Sequence, residues 1–402
     1  RHAGEIRREA NCSTIARQVS PLSHPMLRIA LLMLFRDKAK YVMLIVGLTF
    51  CSLLMTQQAS VFCGLMLWTS ATVRNIGAKV WVFDAKVEQV NEVIPLREIE
   101  VTRVRGIPGV EWAVPLYLGI EQARLSDGSF QNVQLVGLDT ATFVGRPMEI
   151  TKGRIEDLRL PDAVIIDQVG VDKFCKKGIQ IDVGTTFEIN DKTARVVALC
   201  HANRSFLGQP YVYTTYDRAL QFAKPQRKMM SCVLVEPKPD VSAKELAESI
   251  SKVPGLRAFE RDDLFWTTIW WYIKNTGIPI SFGTVVLMGV IVGIAIAGQT
   301  FYLFILDNLR YLAALKAMGA RMPILAAMVF LQSFSVGFVG FGLGVGLTSI
   351  FGYKVLKIEQ PPFFMPWQVP AFVAVIIILI CCFSAAIGLR KIAKLEPAVV
   401  FK

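Results

Sequence analysis

The chain has 402 residues, of which 53% are apolar and only 19% charged, with a formal net charge of +12. That imbalance excludes an ordinary soluble domain and a disordered chain, and it places the protein in the membrane class. Its Lys and Arg residues collect beside the apolar runs and form no basic-aromatic strip, which excludes nucleic-acid binding and reads as a cytoplasmic membrane face.

Arg1 to Pro25 are polar, are broken by Pro21 and Pro25, and lack the apolar core of a signal peptide. They are expected to form an N-terminal extension or a poorly ordered tail. Residues 26–40 read as a cytoplasmic amphipathic helix on the membrane surface. Leu27, Ala30, Leu31 and Leu34 supply an apolar stripe, while Arg28, Arg36 and Lys38 reach headgroups. Residues 41–73 carry no charge and exceed the roughly 20 residues needed to cross a bilayer, so they read as a first transmembrane helix prolonged into a stalk.

Residues 74–262 read as an extracytoplasmic α+β domain. Two βαβ-like halves, about 78–140 and 230–262, each follow strand, helix, Pro-Gly turn, strand. The turns are Ile107-Pro108-Gly109-Val110 and Val253-Pro254-Gly255-Leu256, and Asp240 is the expected N-cap of a helix over Val241 to Lys252. Ser126-Asp127-Gly128 marks a hairpin leading into Val133 to Leu138. A mainly β subdomain is expected over about 150–215. Its lone His201, beside Asn203 and Arg204, reads as solvated, and Cys175, Cys200 and Cys232 read as free thiols, with one disulfide left open.

Residues 263–306 return the chain to the membrane. Phe265, Trp266, Trp270, Trp271 and Tyr272 are residues of the headgroup zone, and a second span follows. Residues 322–352 and 369–389 give the third and fourth spans, and 390–402 a cytoplasmic tail. The flanking cations (Arg28, Arg36, Lys38 and Lys40; Arg310, Lys316 and Arg321; Arg390, Lys391 and Lys394) fall on one side when the spans number four. That side is the cytoplasm. Inside the spans, Gln299 and Gln332 are expected to hydrogen-bond across helices. Gly337, Gly340 and Gly344, with Gly342 and Gly346, permit close backbone contact within the bundle or at a homodimer seam.

No phosphate-cradling GxxxxGK[ST] loop, HExxH, GxSxG or paired-cysteine zinc motif occurs, so no catalytic, cofactor or metal residue is assigned. The segment that stands out is 307–321, a short helical stretch between the second and third spans with strong helix formers and a Gly stop. Leu315-Lys316-Ala317-Met318-Gly319-Ala320, with Asp307, Asn308 and Arg310 before it, resembles the cytoplasmic coupling segment of the FtsX/MacB-like ABC transporter permeases. It departs from that family at Tyr311, where Glu is frequent. Gly298-Gln299-Thr300-Phe301-Tyr302 is similar to the second span of the DevC-type branch, and Ala393-Lys394-Leu395-Glu396-Pro397-Ala398 to the family's closing element.

The resemblance implies a four-helix membrane fold with an inserted extracytoplasmic domain. It implies a non-catalytic permease that pairs with a second copy of itself and with a separate ABC ATPase, which binds the ATP and Mg. It further implies force entering at the coupling segment by mechanotransmission, and export or extraction of a hydrophobic or amphipathic substrate. A membrane-fusion adaptor and an outer-membrane channel, membrane lipid as partner and a bacterial inner-membrane location belong to the same expectation. The rival reading is a non-transporting signalling protein with an extracytoplasmic sensor domain.

Overall fold

The computed structural model describes residues 32–34, 38–224, 229–358 and 360–393. The expected 1–25 extension, the closing element from Lys394 onward and most of the 26–40 surface helix lie outside the described residues. The chain divides into two compact units, one from segments up to Gly64 and from Pro279 onward, the other from Leu65–Ile278.

Helix α1, Lys38–Thr69, contributes to both units, and a short α2, Ala71–Asn75, follows it. The uninterrupted stalk expected over 41–73 is therefore broken at Ser70. Two hydroxyls account for the break: Thr69 Oγ1 donates to the carbonyl of Met66 and Ser70 Oγ to that of Leu67. Such back-bonding to i−3 carbonyls competes with the helical ladder.

In the outer unit, β1 (Val80–Asp84), α3 (Ile99–Arg105) and β2 (Val110–Arg124) are followed by β3 (Phe130–Leu138) and β4 (Glu149–Gly153). Next come β5 (Ala163–Asp167), α4 (Gln168–Lys176), β6 (Thr186–Ile189) and β7 (Lys192–His201). The unit closes with β8 (Tyr211–Thr215), α5 (Tyr216–Phe222), β9 (Cys232–Pro237), α6 (Ala243–Ser251), β10 (Leu256–Glu260) and α7 (Arg261–Asn275).

The two halves read from the sequence, β1-α3-β2 and β9-α6-β10, interlock as β10-β1-β9-β2 with every pairing antiparallel. That is the split βαβ arrangement. The sheet does not stop there. The first part of β2 pairs with β9 and its second part with β3, so one strand carries the ladder onward to β8, β5, β7 and β4. The mainly β region is thus an extension of the same sheet and no separate layer, because β2, at 15 residues, is long enough to serve two partners.

Alternation at period two decides what lies on each face. Val80 and Val82 of β1 join a core with Val104 of α3 and Leu246 and Ile250 of α6. Trp81 and Phe83 point the other way, into a core with Ile76 and with Leu264 of α7. The N-cap of α6 is Ser242, whose Oγ accepts the amide of Glu245, and not Asp240 as the sequence suggested. Lys238 O takes the Val241 amide in a turn, which moves the first helical residue to Ala243.

Helix α7 holds the aromatic run. Tyr272 is buried and meets the ring of Phe206 at 4.9 Å, and Trp271 Nε1 donates to Glu88, while Trp266 and Trp270 are exposed. Of the five aromatic residues expected in the headgroup zone, Trp266 and Trp270 are exposed, Phe265 and Trp271 half-buried, and Tyr272 alone is buried. The helix has two faces, and the sheet takes one of them.

The membrane unit is completed by α8 (Ile278–Asp307), α9 (Leu309–Ala317), α10 (Met322–Ile358) and α11 (Gln368–Ala393). Among the described residues, α1, α8, α10 and α11 are the helices long and apolar enough to cross a membrane. Their backbones satisfy their own hydrogen bonds, which a bilayer interior demands. Leu44, Leu48, Cys51 and Met55 form one stripe of α1, packed with Phe301 and Phe304 of α8, Val329 and Val336 of α10, and Val373 and Ile377 of α11.

Candidate functional site

Helix α9 is a folded handle on the bundle. Leu312 and Ala313 are buried, and Leu309, Leu315 and Ala320 pack against the bundle core. Arg310, Tyr311, Ala314, Met318 and Gly319 are exposed, Met318 to 76% and Tyr311 to 46%. The two sets alternate with the helical period, so one face grips the bundle and the other faces away.

The stop of α9 is a Schellman motif. The amide of Ala320 donates to Leu315 O at 3.0 Å and that of Gly319 to Lys316 O at 3.1 Å, and Gly319 has φ +96°. A side chain there would cost roughly 1–2 kcal/mol in the left-handed region. At the other end Asn308 turns inward: its amide side chain donates to Phe304 O at 2.9 Å and the residue is 8% exposed. Asp307 is exposed and pairs with Lys40 of α1. The outward surface therefore gathers Asp307, Arg310, Tyr311, Met318 and Gly319, with Lys316 half-buried beside it. Asn308, Leu315 and Ala320 turn toward the bundle. Ala314 belongs to the exposed face and was not singled out from the sequence. Only its spacing from Arg310 and Met318, four residues each way, could have revealed it.

The small residues of α10 are divided. A Cβ on Gly337 would stand 2.5 Å from Cys381 Sγ of α11, and one on Gly344 would stand 2.5 Å from Ser52 Cβ of α1. Gly340 meets Leu48 in the same way, at 2.8 Å. These three glycines lie inside one bundle, so they are not the dimer seam offered as the other reading. Gly342 and Gly346 face open space. Gln332 is buried, whereas Gln299 is exposed on α8 and so does not bond across to another helix of the same bundle as expected.

In the outer unit, His201 ends strand β7, paired with Glu149 of β4, and is exposed. The thiols of Cys200 and Cys232 are free and buried, and burial pushes both well above the ordinary range; Cys175 is free and exposed.

Two family models account for most of the sequence. Residues 60–253 match the MacB-like periplasmic core domain, and residues 265–397 match the FtsX-like permease C-terminal domain. The second match spans α9 and its exposed face; the first spans most of the inserted sheet. The chain belongs to the FtsX/MacB-like ABC transporter permeases. An uncharacterized ABC transporter permease, found in two strains of Mycobacterium tuberculosis, is 25% identical over 320 residues, covering 77% of this chain and 79% of that one.

Among solved structures, the permease resembles the extracellular domain of the noncanonic ABC-type transporter YknZ from Gram-positive bacteria. That likeness has 14% identity and a TM-score of 0.34, over 46% of this chain and 99% of the other. The periplasmic region of MacB from Actinobacillus actinomycetemcomitans gives 19% identity and a TM-score of 0.36, over 51% and 96%. The assignment rests on the family models, not on these scores. A permease of this class works with an ATPase subunit.

Proposed function

We propose that this permease works by mechanotransmission, with a separate ATPase subunit seated on the exposed face of α9. The observation that carries the reading is the division of α9 into a face packed on the bundle and a solvent-exposed face, fixed at its end by the Gly319 turn. A short helix gripped along one side moves with the bundle when pushed on the other. ATP and Mg belong to the partner chain. The flanking cations support cytoplasmic termini and an outer domain on the far side of a bacterial inner membrane. The spans carry no Asp, Glu, Lys or Arg in their apolar runs, so no intramembrane charge relay is available. Motion is then delivered outward along α1 and α8, the helices continuous in sequence with the two ends of the outer domain. The substrate class that suits this scheme is hydrophobic or amphipathic and is exported or extracted, with an adaptor and outer channel as further partners.

A second copy of the chain completes the assembly. Gln299 lies eight residues before the end of α8 and is exposed. An amide in that position gains by bonding across to another helix.

The test is co-purification of the full chain with a co-expressed P-loop ATPase, with hydrolysis measured in nanodiscs. Tyr311→Asp and Met318→Asp change exposed residues and leave the bundle core intact, and each is expected to lower association about tenfold, or about 1.4 kcal/mol. Phe338→Tyr, on the exposed face of α10, serves as the control. Wild-type association and hydrolysis in both α9 variants would overturn the reading.

A further inference from the structure

The outer unit carries a partly open cavity of about 580 Å³. That lies within the range of small-molecule sites, roughly 300–1,000 Å³. Its wall carries the apolar side chains of Val90, Leu118, Ile120 and Phe206, with the Tyr272 ring beside Phe206 at an interplanar angle of 54°. Two acidic residues, Glu92 and Glu121, line it against one basic residue, Lys224; the Glu121 carboxylate is buried and accepts from Tyr117 and Asn190, which leaves Glu92 as the acid open to an occupant. Aromatic faces and a lining with one more acidic than basic residue both favour a positive charge in the occupant. The chemistry therefore fits an amphipathic molecule with a cationic head.

The same cavity is lined by Asn91, Thr72 and Tyr272, and these three form a clasp. The Asn91 side-chain amide donates to the carbonyl of Thr69, the last residue of α1, at 2.7 Å. It also reaches the Tyr272 hydroxyl of α7 at 3.5 Å, and its own Oδ1 accepts from Thr72 Oγ1 of α2 at 3.5 Å. Asn91 comes from the loop between β1 and α3, so a single side chain ties the segment entering the outer domain to the segment leaving it. Residues 276–277 alone separate α7 from α8.

We propose that this cavity binds an amphipathic cation and that the Asn91 clasp reports its occupancy to the two chain segments that lead to the membrane. A molecule seated against Phe206 and Tyr272 competes for the Tyr272 hydroxyl and for Asn91. Binding then changes the hold on Thr69 and on α7 together. The site stands on the cavity and the hydrogen bonds; only its consequence for transport rests on the mechanotransmission reading.

The experiment uses the full chain in nanodiscs without any ATPase, so its failure is separate from failure of the coupling reading. Rhodamine 6G, a cationic amphiphile, is titrated by fluorescence anisotropy against empty nanodiscs, with anilinonaphthalene sulfonate as the anionic counterpart. Ile120→Trp fills the cavity from a residue that is already 47% exposed. It is expected to weaken rhodamine binding about tenfold, with Ile99→Trp, on α3 and outside the lining, leaving it unchanged. The anionic dye is expected to bind no better than to empty discs.

Hydrogen exchange is then followed in residues 69–76 and 268–275. Rhodamine should alter exchange in both segments of the wild type, and Asn91→Ala, titrated to the same dye occupancy, should lose the paired response. Unchanged rhodamine binding in Ile120→Trp, with wild-type melting, would overturn the site. An identical exchange response in Asn91→Ala, or a response in neither wild-type segment, would overturn the clasp.

Discussion

Gly344 and Ser52 stand so close that a Cβ on the glycine would lie 2.5 Å from the Cβ of the serine. The backbone of α10 thus rests directly on α1. Ser52 Oγ adds a hydrogen bond to Phe341 O at 3.3 Å. Close approach of this kind takes the place of the hydrophobic drive that a bilayer does not supply.

Gly344→Ala should therefore destabilise the bundle by roughly 1–3 kcal/mol, the usual cost of overpacking. Gly342→Ala, two residues away and facing open space, should be neutral or slightly stabilising because alanine is the better helix former. Thermal midpoints of the two variants in one detergent check the pair. Equal shifts would mean that α10 does not rest on α1 at Gly344.

Asp167 predicts a pH dependence. It is fully buried, its Oδ1 accepts the Gly170 amide at 2.8 Å as the N-cap of α4, and burial pushes its carboxyl up to about 7 against the lowering pull of the Tyr211 and Gly170 amides, Arg204 and Lys173. An unfolded aspartate titrates near 3.9. The folded chain therefore holds a proton that the unfolded chain has released, and stability falls as pH rises between those values. The contribution is full below about 4 and gone above about 7, with a slope of at most about 1.4 kcal/mol per pH unit. Asp167→Asn keeps a capping oxygen without the charge. It should flatten the decline in melting temperature between about pH 5 and 7, and an unchanged profile would show that another group sets it.

The cap of α6 gives a local test. Ser242→Ala should cost about 1 kcal/mol, because it leaves the Glu245 amide without its acceptor. Asp240→Ala should cost a few tenths at most, as expected for an exposed site with no capping bond. Denaturant midpoints of the two variants decide which residue starts the helix.

Gln299→Leu bears on the second copy. If α8 carries the contact between copies, the change should weaken self-association by roughly 1 kcal/mol or less, seen as a shift in the monomer–dimer midpoint in nanodisc-free detergent. Dimerisation indifferent to this change would place the seam on another face.

The four spans were legible from uncharged runs alone, since a bilayer tests little beyond length and apolarity. The two βαβ units were legible from repeated Pro-Gly turns between short apolar runs. The exposed face of α9 was only half legible. The sequence of 307–321 marks a helix with a glycine stop, yet nothing local says that Asn308 folds back onto Phe304 or that Ala314 stays outside. The aromatic run of α7 misled for the same reason. A tyrosine suited to a membrane surface is equally suited to a buried contact with Phe206.

Sequence by itself determined the topology, four apolar helices with a domain set between the first and second, because hydropathy and flanking charge are properties of each segment taken alone. Tertiary structure decided the rest. β2 serves two partners and merges the expected subdomains into one sheet. Gly344 is spent on α1, and Asn91 joins α1 to α7 across 22 and 181 residues of sequence. Such relationships depend on which side chain meets which across long separations, and no local pattern of residues encodes that.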